Sequence, residues 1–165
     1  MKQFRFFSYI RVGGYMRIEI VDKRNIYIFL NSAYFNDIDL NSKEDIIFVV
    51  KDFIVKYKKK LNLRGFYKVK VYANSKVGLF LEIIRIDDIE ISNNVDLRVI
   101  VHLDDKIYFK TEEYDILPKN SPIYYLDNNF YCDLDSIDNI LNIVEFGQFI
   151  YGSKAIDMLD NSIVI

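Results

Sequence analysis

Between residues 17 and 31 the chain alternates apolar and polar positions with the period of a strand: "RIEIV", the polar "DKRN", then "IYIFLN" predict a β-hairpin. The period then changes. Ile46, Val50, Phe53, Tyr57 and Leu61 recur at spacings of three and four, which puts them on one face of a helix over 42–61. Ser42 stands as its N-cap, Glu44 and Asp45 occupy its first turn, and Lys58, Lys59 and Lys60 its last, each where the helix dipole favours that charge. "LNLRG" predicts its end at Gly65. A second hairpin follows in "FYKVKVYANSKVGLFLEIIRI", where Lys68 and Lys70 alternate with Tyr67, Val69 and Val71. Residues 16–86 are therefore expected as a ββαββ unit with one long helix.

The polar "DDIEISNNVD" predicts a linker over 87–95 and a second unit over 96–165. In that unit "LRVIVHL", an Asp-Asp-Lys turn and "IYFK" read as a third hairpin, and "TEEYDIL" as a single helical turn before the loop "PKNSP". "IYYL", "DNN" and "FYCDL" read as a fourth hairpin. "SIDNILNIVEF" leaves two readings open, a short helix capped by Ser136 or the start of a strand. "GQFIYG" reads as extended and "SKAIDML" as a helix capped by Ser153. The expected fold class is α+β: two small hairpin-rich units, the second an antiparallel sheet with short helices.

Length and composition change this picture little. At 165 residues, 51% of them hydrophobic and 16% aromatic, the chain has material for a packed core. No apolar run approaches the roughly 20 residues that cross a bilayer, so no membrane is expected. The single cysteine, Cys132, leaves no internal disulfide, and a reducing, cytoplasmic home is the expectation. Met16 opens the first clean strand pattern and is expected to be the natural start, with residues 1–15 a disordered extension lacking the form of a signal peptide.

Candidate chemistry is sparse. "GQFIYGSK" has the glycine spacing of a phosphate-binding loop, but its interior is Gln-Phe-Ile-Tyr, a strand sequence, and Ser153 precedes Lys154 where a phosphate loop has Lys before its hydroxyl. Strand, tight turn and capped helix describe it better. Asp133 and Asp135 form a D-x-D pair without an evident third ligand, and Asp87, Asp88 and Glu90 sit near no nucleophile or oxyanion donor. His102, the lone histidine, alternates with Val101 and Leu103 and is expected to face outward without a partner. Cys132 is expected as a small core residue. No catalytic residue, metal site or cofactor is assigned, and the chain is expected not to be an enzyme.

Charge is distributed unevenly. Lys51 to Lys76 carries nine bases against one acid, and Asp87 to Glu145 fourteen acids against four bases. Lys58, Lys59, Lys60, Arg64, Lys68 and Lys70, with Tyr67 and Tyr72 nearby, are the candidate contacts of a nucleic-acid or ribosome-associated module. Attraction between oppositely charged halves, or lysines that keep sheet edges apart, would explain the same pattern.

Two stretches resemble the MecA-type adaptor family of low-GC Gram-positive bacteria: "IYFKTEEYDIL" with "IYYLDNNFYCDL", and "VEFGQFIYGSKAIDML". "MRIEI" and "VGLFLEI" are similar to the family's smaller, substrate-binding domain. The resemblance implies a cytoplasmic protein-interaction module that presents clients to a Clp-family AAA+ unfoldase and takes part in regulated proteolysis. It implies that Glu112, Glu113, Asp115, Tyr124, Tyr125 and Tyr131 meet the protein partner. A homo-oligomer with unpaired strand edges is a third reading; the oligomeric state is not legible.

Overall fold

The computed structural model describes residues 5–11, 14–22, 24–35, 38–86, 95–103 and 105–165. It is an α+β protein of two units, Met1–Asp104 and Asp105–Ile165. In the first, strands β1 (Arg5–Arg11), β2 (Gly14–Ile20), β3 (Asn25–Asn31), β4 (Gly65–Asn74), β5 (Gly78–Arg85) and β6 (Val95–His102) form a six-stranded sheet in the order β1-β2-β3-β5-β4-β6. All neighbours run antiparallel except β4 and β6, which are parallel.

The first hairpin turns where Asp22 accepts the backbone N–H groups of Arg24 (2.7 Å) and Asn25 (3.0 Å). In the second, Asn74 does the same for Lys76 and Val77, each at 3.0 Å. Such Asx contacts replace the ladder bonds that a turn gives up. Helix α1 (Lys43–Tyr57) begins as expected, with Ser42 Oγ accepting from Asp45 N–H at 3.4 Å. Its end differs from the sequence reading. Leu63 N–H reaches Lys58 O (2.9 Å), Asn62 N–H reaches Lys59 O (3.2 Å), and Asn62 has φ +54°, so Asn62 rather than Gly65 supplies the left-handed stop.

One face of this sheet closes on α1. Ile46, Val50, Phe53 and Ile54 of the helix share a core with Met16, Ile18, Ile28, Leu30, Val69, Val71, Leu79, Leu81 and Ile83, all buried. Gly78 is required where β5 begins: with φ +141°, a Cβ there would lie 2.0 Å from Leu30 O.

Two expectations are corrected. Residues 1–15 were expected outside the fold, yet Arg5–Arg11 pairs along β2 from Arg5↔Ile20 to Arg11↔Gly14; a strand as regular as β2 offers an edge that a neighbouring segment can satisfy. The expected third hairpin is absent, because β6 pairs with β4 and not with β7 (Tyr108–Thr111). The apolar positions of β6, Val95, Leu97, Val99 and Val101, fit the α1 side of the first sheet, where all four pack against its core. Both edges of β7 are taken in the second sheet. The unit boundary accordingly falls between Asp104 and Asp105, later than the expected linker, whose residues 87–94 lie outside the described residues.

The second unit holds a five-stranded antiparallel sheet in the order β10-β7-β9-β8-β11, with β8 (Ile123–Leu126), β9 (Asn129–Asp133), β10 (Gly147–Ile150) and β11 (Ile163–Val164). The hairpin β8–β9 turns on Asp127 (φ +51°) and Asn128 (φ +65°), the backbone of a type I′ turn. "SIDNILNIVEF" is neither the short helix nor the strand: it contributes to three 3-10 turns, Leu134–Ser136, Ile140–Asn142 and Val144–Phe146, which bury Leu134, Ile140 and Val144. Helix α2 (Ser153–Asn161) follows β10 as expected, but its N-cap is Gly152 at φ +62°, not Ser153. Gly147 is needed for close approach, since a Cβ there would lie 2.1 Å from Lys110 O and 2.5 Å from Phe109 Cζ.

Candidate functional site

Thr111, buried at the end of β7, organises the acidic segment. Its hydroxyl donates to Phe146 O (2.8 Å) and accepts from Glu113 N–H (3.0 Å), so the chain leaves the sheet in one direction. Leu117 N–H then bonds Tyr114 O at 3.1 Å and closes the 3-10 turn Tyr114–Ile116, while the Leu117 side chain is buried. This turn holds Glu112, Glu113 and Asp115 in solvent.

An aromatic ladder stands beside it. Tyr114, 37% exposed, lies 5.2 Å from the Phe130 ring, and Phe130 lies 5.2 Å from Tyr125, its cross-strand neighbour. Tyr125 donates to Asn128 Oδ1 at 3.0 Å. Lys119 Nζ sits 3.6 Å from the centroid of the Tyr114 ring and 3.7 Å from Asp115 Oδ1. The segment already holds a cation against an aromatic face and a carboxylate, the chemistry it would offer a basic partner.

Two of the six expected contact residues lie elsewhere. Tyr124 and Tyr131 face α2: Tyr131 is buried with Ala155 and Met158, and Tyr124 meets Tyr108 edge-on at 5.9 Å. Alternation along a strand forces this, because Tyr124 points opposite to Tyr125, and Tyr131 stands across from Tyr124. Burial pushes the Tyr131 phenol above its ordinary pKa, with Asp127 adding to the effect; burial, then Tyr124, raises that of Tyr108. Tyr114 and Phe130, which the sequence reading did not name, are the rings that stand with Tyr125 beside the acidic turn. Pairing "YYL" against "NFY" across a two-residue turn would have found Phe130 in the sequence.

The basic residues separate into two groups. Lys58, Lys59, Lys60 and Arg64 lie at the C-terminal end of α1, and Arg64 N–H bonds the Tyr67 hydroxyl at 2.9 Å. Lys68 and Lys70 project from the sheet face opposite α1, since their neighbours Tyr67, Val69 and Val71 enter the helix-covered core. On that face Lys70 stands across from Glu82, and Lys68 beside Arg98. Lys68 and Lys70 thus lie on the opposite face of the sheet from the helix whose end carries Lys58, Lys59 and Lys60.

Asp133 receives Lys106 Nζ at 2.7 Å on one oxygen and Asp135 N–H at 3.0 Å on the other. Among the described residues no group of three or more His, Cys, Asp or Glu side chains is placed to hold a metal ion. His102 points away from the α1 side that Val101 and Leu103 enter, as expected, and on that other face it has a partner: it stacks on Tyr72 with ring centroids 4.7 Å apart. Cys132 is fully buried, and burial raises its thiol pKa. Asp87, Asp88 and Glu90 lie outside the described residues. No helix among the described residues is long and apolar enough to cross a membrane.

No protein-family model, curated protein or solved structure matches this chain.

Proposed function

We propose that the protein is a non-enzymatic, cytoplasmic interaction module of the adaptor kind, in which the second unit docks a protein partner and the first meets a client. The observation that carries the reading is the fixed acidic turn: Glu112, Glu113 and Asp115 stand in solvent beside the half-open ladder of Tyr114, Phe130 and Tyr125. Carboxylates around an accessible aromatic edge suit a partner that brings Lys or Arg with an apolar neighbour, and they steer its approach as well as hold it. The resemblance to MecA-type adaptors suggests a Clp-family unfoldase as that partner.

The test is a pull-down with the full chain from a low-GC Gram-positive lysate, treated with nuclease and read by mass spectrometry. The wild-type chain is expected to retain an AAA+ unfoldase, and the triple variant Glu112→Lys, Glu113→Lys, Asp115→Lys to lose it by about tenfold or more. Equal retention by the variant overturns the docking face. Capture of ribosomal proteins or RNA that nuclease removes, and that disappears when Lys58, Lys59 and Lys60 are neutralised, overturns the adaptor reading in favour of nucleic acid.

A further inference from the structure

Strand β6 is the outermost strand of its sheet, paired with β4 on one side and, among the described residues, with no strand on the other. An edge of this kind is a row of backbone donors and acceptors that native proteins usually block with charged side chains, proline or a bulge. The sequence of β6, Val-Asp-Leu-Arg-Val-Ile-Val-His, has no proline, and its register with β4 runs without interruption from Gly65↔Val95 to Tyr72↔His102.

Its two exposed charges have opposite signs and are two residues apart. Asp96 and Arg98 project from one face, and between them Leu97 points to the other, with Val95 and Val99. Antiparallel pairing of β6 with a second β6 about a two-fold axis through Leu97 puts Asp96 opposite Arg98 of the other copy, and Arg98 opposite its Asp96. The same register sets Leu97 against Leu97 and Val95 against Val99. These apolar residues are only half-buried in one chain, whereas Val69 and Val71 on neighbouring β4 are fully buried. Within one chain Arg98 also stands beside Lys68, a like-charge neighbour on the same face. An opposing Asp96 supplies the counter-charge that this pair lacks in register, and facing opposite charges stabilise a sheet where like charges destabilise it.

We propose that β6 is a homotypic docking edge, through which two copies of this chain join their six-stranded sheets into one continuous sheet. The inference does not depend on the adaptor reading. It is tested on the full chain by sedimentation velocity and light scattering with three variants of two exposed positions. Wild type forms a dimer at concentrations up to about 100 µM. Asp96→Arg alone and Arg98→Asp alone each weaken self-association by about tenfold or more, because both symmetric contacts become repulsive. The double exchange Asp96→Arg, Arg98→Asp restores the dimer, and an equimolar mixture of the two single variants forms mixed dimers, which also shows that each is folded. A monomeric wild type in that range, or a dimer indifferent to both single reversals, overturns the proposal.

Discussion

The two units reach their cores by different routes. In the first, long strands and a fifteen-residue helix meet along aliphatic faces, and almost every side chain beneath α1 is Ile, Val or Leu. In the second, strands of two to five residues alternate with 3-10 turns, and aromatic rings fill the angles between them. The charge differs in the same sense: Asp105–Ile165 holds eleven acids and four bases, while the rest of the chain is basic on balance. A repeated period supports the first unit, so no single turn decides it. The second depends on particular bonds, such as those of Thr111 and Asp133, while each unit has a close backbone approach, at Gly78 in the first and at Gly147 in the second.

The largest test of this contrast uses glycine. Gly147→Val should cost about 4 kcal/mol or more, because its side chain must displace the backbone of Lys110 and the ring of Phe109. Cys132, the only cysteine, reports on the second unit alone: fast labelling by a thiol reagent is expected in the variant and slow labelling in wild type. Hydrogen exchange in β3 and β5 should stay slow, since the core beneath α1 is built from residues of the first unit. Loss of that protection would show that the division into two routes is wrong.

A smaller effect is expected in the first unit. Ile54→Ala removes a fully buried side chain and should cost about 2–5 kcal/mol, read as a shifted urea midpoint for exchange in β3 to β5, with Cys132 labelling unchanged. The smallest concerns pH. Lys106 is pushed above its ordinary pKa by its hydrogen bond to Asp133, so its stabilisation is complete below the unfolded value near 10.5 and disappears as pH rises through the higher folded value. The Lys106 side chain is 66% exposed, so Lys106→Met should change the stability of the second unit by less than about 1 kcal/mol at neutral pH. The variant should also lose the alkaline decline attributable to that ammonium; an identical decline in wild type and variant would assign it elsewhere.

Legibility in the sequence follows the same division. Helix α1 was readable from its cap at Ser42 through Tyr57 because capping, dipole and spacing agree, and the hairpins β2–β3 and β8–β9 because their turn residues are local signals. Where a signal is shared, reading failed. Gly65 and Asn62 both favour left-handed backbone, and only the bonds to Lys58 and Lys59 select Asn62. Ser153 and Gly152 compete for the same cap position in the same way. At the candidate site the acids were legible as an exposed turn, but the tyrosines were taken together although alternation divides them between two faces.

By itself the sequence determined helix α1, the local hairpins and the acidic and basic segments, because capping, periodicity and turn chemistry act between residues close along the chain. Only the tertiary structure decided that β6 runs parallel to β4 instead of turning back into β7, that Arg5–Arg11 lengthens the first sheet, and that Tyr125 but not Tyr124 joins the acidic turn. An apolar strand face can be satisfied by any surface of matching shape, so its partner is chosen by which assembly buries the most such faces at once while leaving few backbone groups unpaired.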